Sequence, residues 1–477
     1  MLFNSVEFFL FFPIVFIIYW LLLGKKLKAQ NVFLLISSYF FYSFWDYRFL
    51  ALLLFSTLLD FFSAQKIASS TSKSIKERWL WFSIILNLGF LGFFKYYNFF
   101  IESFADFLFK LGFEPNIWTL KIILPVGISF YTFHGLSYII DVYKERIKPE
   151  KSFIDYGLFV SFFPLLVAGP IERATHLLPQ IKKERFFNYS RSVDGLKQIL
   201  WGLFKKVVVA DNCAKYANII FNQSEEFSGS TLVLGAVFFA FQIYCDFSGY
   251  SDIALGTARI LGFDLLKNFS FPCFSRDIAE FWRKWHISLS SWFRDYIYIP
   301  LGGSRVSKLK QVRNVFVIFL LSGFWHGANW TFLAWGFLHA LYFLPLLLLG
   351  KNRNNLDNSI KKKMPGFKEI MQILITFSLV AFAWIFFRAE NLNHAFDYIS
   401  EIFSSSLFSI PKYLPKRVFL FILVLMMIEW LGRNNNYGLE KFGINWPKPI
   451  RTLFYYGLLF MIFYFSGDDQ QFIYFQF

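Results

Sequence analysis

Two histidines in apolar surroundings are the residues best placed to do chemistry. His326 lies inside Phe316–Trp335, with nothing ionisable between Arg313 and His326 or between His326 and His339. His286 lies in Phe281-Trp-Arg-Lys-Trp-His-Ile-Ser-Leu-Ser-Ser-Trp292. An imidazole in a membrane-length apolar segment is costly to bury, which makes it a functional candidate by default. Imidazole is also the side chain that exchanges protons near neutral pH. Moving an acyl group to a hydroxyl needs such a base, because the hydroxyl is barely acidic. Gly323 and Gly327 flank His326, and Trp325, Trp330 and Trp335 are candidates to wall the site. His134 and His339 read as core histidines, and His176 and His394 as solvated ones.

A second polar cluster runs from Gln242 through Asp246 to Asp252. Two carboxylates in a hydrophobic stretch require partners. Arg259, Arg283 and Lys284 are the candidates, and a structural ion pair is favoured over a role in orienting a histidine or holding a donor.

Absences narrow the chemistry. No Gly-x-Ser-x-Gly elbow occurs, so a serine acyl-enzyme is disfavoured. No histidine has an aspartate five residues on, no His-Glu-x-x-His or P-loop is present, and no metal site is expected. Cys213, Cys245 and Cys273 are odd in number and lack Cys-x-x-Cys spacing, so no disulfide framework is indicated.

The elements that must position these residues are membrane helices. The 477 residues are 56% hydrophobic and 17% charged, with 69 Phe. Apolar runs recur along the chain, and a span needs about 20 residues. The expectation is an all-α, polytopic integral membrane protein with about ten or eleven transmembrane helices plus re-entrant and amphipathic pieces. The first run, Val6–Leu23, reads as a retained span, since no basic segment precedes it. The net charge of +16 sits in short connectors such as Lys25–Lys28 and Lys361–Lys363. That pattern fits cytoplasmic loops and excludes a nucleic-acid partner. It puts the N-terminus outside the cytoplasm.

Residues 153–170 break the alternation of sides, and Pro164 and Gly169-Pro170 fit a re-entrant hairpin there. In 276–300, Trp282, Trp285, His286, Leu289, Trp292, Phe293 and Tyr296 share one face of a single amphipathic helix. His326 follows the cytoplasmic Arg313 by thirteen residues. That is about 20 Å into a core about 30 Å thick, past the midplane. Asn352–Lys363 reads as a polar linker.

At these residues the chain resembles the membrane-bound O-acyltransferase (MBOAT) family, nearest the alginate O-acetyltransferase membrane-subunit branch. The resemblance rests on Phe281–Ser290, Trp292–Gly303 and Trp325-His326-Gly327. Supporting stretches are Leu124–Phe133, Phe163-Pro164 with Ala168–Ile171, Asp246–Ala254, Ala383–Glu390 and Phe472–Phe477. Cys273 departs from it, where an aromatic is expected after Pro272.

The resemblance implies one membrane domain over residues 1–477, with a motif-bearing core at about 119–340 and C-terminal helices in 369–466. A cytoplasmic funnel and an outer cavity would meet at His326, the catalytic histidine, with His286 as the second active-site histidine. The implied reaction takes an acetyl group from a cytoplasmic thioester, acetyl-CoA, across the bacterial inner membrane for O-acetylation of an exported polysaccharide. A periplasmic acetyltransferase is the implied partner, membrane lipid surrounds the protein, and no tightly bound cofactor is implied. Arg283 and Lys284 would meet the donor's phosphates. Trp285, Trp325, Asn329, Asp246 and Asp252 would support the site. D-alanyl or lipid acyl transfer, and a non-catalytic acyl conduit, are the alternatives.

Overall fold

The computed structural model describes residues 1–113, 119–120, 122–356, 364–466 and 472–473. The second half of the expected linker, 357–363, and all but Phe472 and Ile473 of the terminal stretch lie outside these residues. The protein is 74% helical, and no strand occurs among the described residues. Among the described residues, five helices are long and apolar enough to cross a membrane: Arg48–Ser69, Lys73–Lys110, Gly229–Ile260, Trp330–Leu348 and Phe367–Arg388. Other apolar runs form shorter or more polar helices, among them Val6–Leu22, Lys308–His326, Lys416–Gly432 and Lys448–Tyr464.

The chain divides into two compact units, Met1–Ser192 with Thr257–Leu266, and Val193–Gly256 with Lys267–Phe477. In the first unit the helix Arg48–Ser69 packs against Lys73–Leu91 and Ile128–Tyr143. Oδ1 of its buried Asp60 accepts from Ser83 Oγ at 2.6 Å and Asn87 Nδ2 at 2.8 Å, partners supplied within the bundle.

Residues 153–170 form a nine-residue helix, Phe153–Ser161, and one turn, Phe163–Leu166. Nine residues rise only about 14 Å, too short to span. The irregular backbone is held by side chains. Ser38 Oγ accepts from Phe163 N at 3.0 Å, and His134 Nε2 accepts from Glu172 N at 3.1 Å. His134 is therefore a core histidine.

Residues 229–260 form one helix of 32 residues, Gly229–Ile260, most of it in the second unit. Gly249 does not break it. A Cβ there would meet Gly202 O at 2.7 Å, and one at Gly202 would meet Gly249 O at 2.5 Å. These glycines allow two backbones to touch, and the contact overrides the weak helix propensity of glycine.

The single amphipathic helix expected over 276–300 is corrected. It is Ile278–Lys284, Ile287–Phe293 and a π-turn Arg294–Tyr298. His286 stands at the break with φ 43°. The cause is non-local. Ser270 N donates to Lys284 O at 3.0 Å, and Ile287 N donates to Asn268 O at 2.9 Å. Segment 268–270 thus takes backbone groups that a continuous helix would bond internally.

The helices Lys308–His326 and Trp330–Leu348 pack along their lengths. A Cβ at Gly323 would meet Phe332 O at 2.2 Å, and one at Gly336 would meet Phe319 O at 2.4 Å. Gly323→Ala is expected to cost about 1–3 kcal/mol through overpacking. Thermal melting of the purified protein in detergent measures it, and an unchanged midpoint would refute the close-contact account.

Candidate functional site

His326 ends its helix, and its ring is buried among aromatics. Ring centroids lie at 4.9 Å to Trp325, 5.2 Å to Trp335 and 5.2 Å to Phe387. A cavity of about 10 Å³, room for about one water, is lined by His326, Trp285, Trp335, Ile243, Phe247 and others. His286 packs edge-on against Phe247 at 4.7 Å and lies 5.8 Å from Trp325. Trp325 thus bridges the two imidazoles, which the break at His286 turns toward it. The structure brings together His326, His286, Trp325 and Trp285 around this aromatic cluster.

The other candidates lie elsewhere in the network. Lys284 is buried and paired to Glu280 at 2.8 Å, while Arg276 holds the second oxygen of Glu280 at 3.0 Å. Arg283 donates to the carbonyls of Asn352 and Asn355 at 3.0 and 2.9 Å. Asn329 caps the helix Trp330–Leu348, accepting from Thr331 N at 3.0 Å, and donates to Glu390 O at 2.8 Å. Trp330 is 54% exposed and does not wall the site.

The partners expected for the aspartates are corrected. Asp252 pairs with Lys205 at 2.6 Å and Asp246 with Lys206 at 2.8 Å, not with Arg259, Arg283 or Lys284. Both lysines sit on the π-segment Phe204–Ala210, which the Gly202–Gly249 crossing sets alongside the carboxylates. Asp246 also accepts from Ile473 N at 2.7 Å. His176, expected to be solvated, bonds Glu172 at 2.8 Å, and that carboxylate raises its pKa above the ordinary histidine value.

Residues missed at the sequence level are Phe247, Ile243, Trp384, Phe387 and Ile473, all lining the His326 cavity. Aromatics are so frequent here, at 23% of the chain, that none stands out by type. A larger cavity, of about 530 Å³, is lined by Arg294, Lys308, Arg353, Tyr298 and Phe319, among others. Ring contacts continue from it toward the histidine: Phe319 to His339 at 6.1 Å, His339 to Trp335 at 4.9 Å, Trp335 to His326 at 5.2 Å. Basic groups beside apolar walls suit a ligand with a phosphorylated head and an apolar arm.

The sequence profile of MBOAT, the membrane-bound O-acyltransferase family, matches residues 142–376. A peptidoglycan O-acetyltransferase of Helicobacter pylori is 33% identical over 528 aligned positions, which cover 100% of this chain and 98% of that protein. A probable alginate O-acetylase AlgI of Pseudomonas aeruginosa is 39% identical over 402 residues, 84% of this chain and 74% of its own length. A teichoic acid D-alanyltransferase of Bacillus subtilis is 27% identical over 59% of this chain.

The ion pairs give a test that separates support from donor binding. Lys205→Met leaves the half-buried Asp252 with only the Gln198 amide donor at 2.8 Å, an expected loss of about 1–3 kcal/mol. Lys205→Met with Asp252→Asn should regain most of that stability. Recovered melting without recovered O-acetyl transfer would give Asp252 a direct role with substrate.

Proposed function

The chain belongs to the membrane-bound O-acyltransferase family, an enzyme family of multi-pass membrane proteins, and from that premise we propose that it carries an acetyl group across the bacterial inner membrane. The donor is a cytoplasmic thioester, acetyl-CoA. The acceptor is a hydroxyl that leads to O-acetylation of an exported polysaccharide, reached through a periplasmic acetyltransferase. The N-terminus lies outside the cytoplasm. Acetyl is favoured over D-alanyl because the O-acetyltransferase relative aligns over 100% of the chain, the D-alanyl relative over 59%.

The observation that carries this reading is His326 itself. It is a buried imidazole at a helix end, walled by Trp325, Trp335 and Phe387 and facing a small cavity. In this reading His326 takes the proton from the acceptor hydroxyl as its oxygen attacks the thioester carbonyl. The carbon–sulfur bond then breaks, and the thiolate leaves with that proton. The rings exclude water, which would otherwise hydrolyse the thioester. His286, across Trp325, orients the reacting groups. The cavity beside Lys308 and Arg353 receives the donor's phosphates, a role that Lys284, buried against Glu280, is less suited to fill.

Two tests follow. His326→Ala should lower acetyl-CoA-dependent O-acetylation by about 10²-fold or more at equal protein level; full surface O-acetylation would end the proposal. Lys308→Glu with Arg353→Glu should raise the KM for acetyl-CoA roughly tenfold, the equivalent of about 1.4 kcal/mol, and leave kcat near its starting value. Unchanged KM would remove that cavity from donor binding.

A further inference from the structure

Trp335 carries a buried hydrogen-bond donor that nothing in the fold uses. The residue is 1% exposed, and its indole Nε1 meets no acceptor among the described residues. Buried indole N–H groups ordinarily find partners. Its ring neighbours explain the orphan. Trp282 lies at 5.7 Å and can only donate; Phe387 at 5.4 Å has no polar atom. His339 lies at 4.9 Å, but its Nδ1 already accepts from Trp282 Nε1 at 3.2 Å. A neutral His339 therefore carries its proton on Nε2 and offers Trp335 no acceptor. The remaining ring neighbour is His326, whose cavity Trp335 helps line.

We infer that the Trp335 indole N–H holds the acyl carbonyl oxygen during transfer, which makes Trp335 a catalytic residue. The inference rests on the reading of His326 given above. The acceptor oxygen forms its bond to the carbonyl carbon as His326 takes the hydroxyl proton. The carbonyl π pair moves onto oxygen, and Trp335 donates to that oxyanion. When the pair returns, the carbon–sulfur bond breaks and the thiolate leaves with the proton held by His326. A donor with no ground-state partner is free for the oxygen on which charge develops, and such preorganised donors need no rearrangement at the moment of reaction. His339 acts through others: it ties down Trp282 and backs the Trp335 ring, as a positioning residue.

The test uses the full-length protein in detergent and two donor analogues. One is acetonyl-dethia coenzyme A, which keeps the carbonyl and cannot release a thiol. The other is S-ethyl coenzyme A, which lacks the carbonyl. Trp335→Phe keeps a ring and removes the N–H. It should lower the O-acetylation rate by roughly 10²-fold and weaken the ketone analogue about tenfold, with S-ethyl binding unchanged. Should the Phe variant fold poorly, 3-benzothienylalanine at position 335 replaces N–H by sulfur in the same shape and should give the same losses. Full O-acetylation by a folded variant overturns the inference, as does equal loss of both analogues. If His326→Ala abolishes transfer while Trp335→Phe retains it, only the role of Trp335 falls. If His326→Ala keeps full transfer, the underlying catalytic reading falls as well.

Discussion

A ladder of buried ion pairs underlies the arrangement of the second unit. Lys205 and Lys206 meet Asp252 and Asp246 at 2.6 and 2.8 Å within an apolar interior. Any of these charges left alone there would be far more costly than the pair. The helix Gly229–Ile260, the π-segment Phe204–Ala210 and Ile473 are therefore bound to one register. That register reaches the histidines directly. Phe247, next to Asp246, meets the His286 ring, and Ile243 and Ile473 line the cavity at His326.

The second constraint is steric. At Gly323 and Gly336 the helices carrying His326 and Trp335 come closer than a Cβ would allow. Close backbones leave large rings nowhere to go but past one another, so Trp325, Trp335 and Phe387 close around the imidazole. Electrostatics thus fixes one wall of the site and backbone contact the other. The water-poor interior that acyl transfer requires follows from both.

Much of this was legible in the sequence. The helical membrane class followed from apolar runs, and the histidines stood out because ionisable residues are scarce around them. Asn329 reads differently in three dimensions: a polar residue before Trp330-Thr331 is a helix cap, a local signal that its nearness to His326 obscured. Three features were not legible, each for the same physical reason. The lysine partners lie forty or more residues before the aspartates. The break at His286 is made by residues 268–270, and Gly249 sits inside a continuous helix where its backbone meets that of Gly202. Periodicity reports what a segment prefers alone; these outcomes are decided by what packs beside it. The orphaned indole of Trp335 belongs to this group too, since a missing acceptor is visible only once every neighbour is in place.

The backbone at His286 has one more consequence. A left-handed φ of 43° is comfortable for glycine and costs a β-carbon-bearing residue about 1 kcal/mol or more. Folding alone would favour glycine at this position, whereas the contact across Trp325 depends on an imidazole. The two demands oppose each other at a single residue. Position 286 is therefore where backbone comfort and the ring packing beside Phe247 and Trp325 trade against one another.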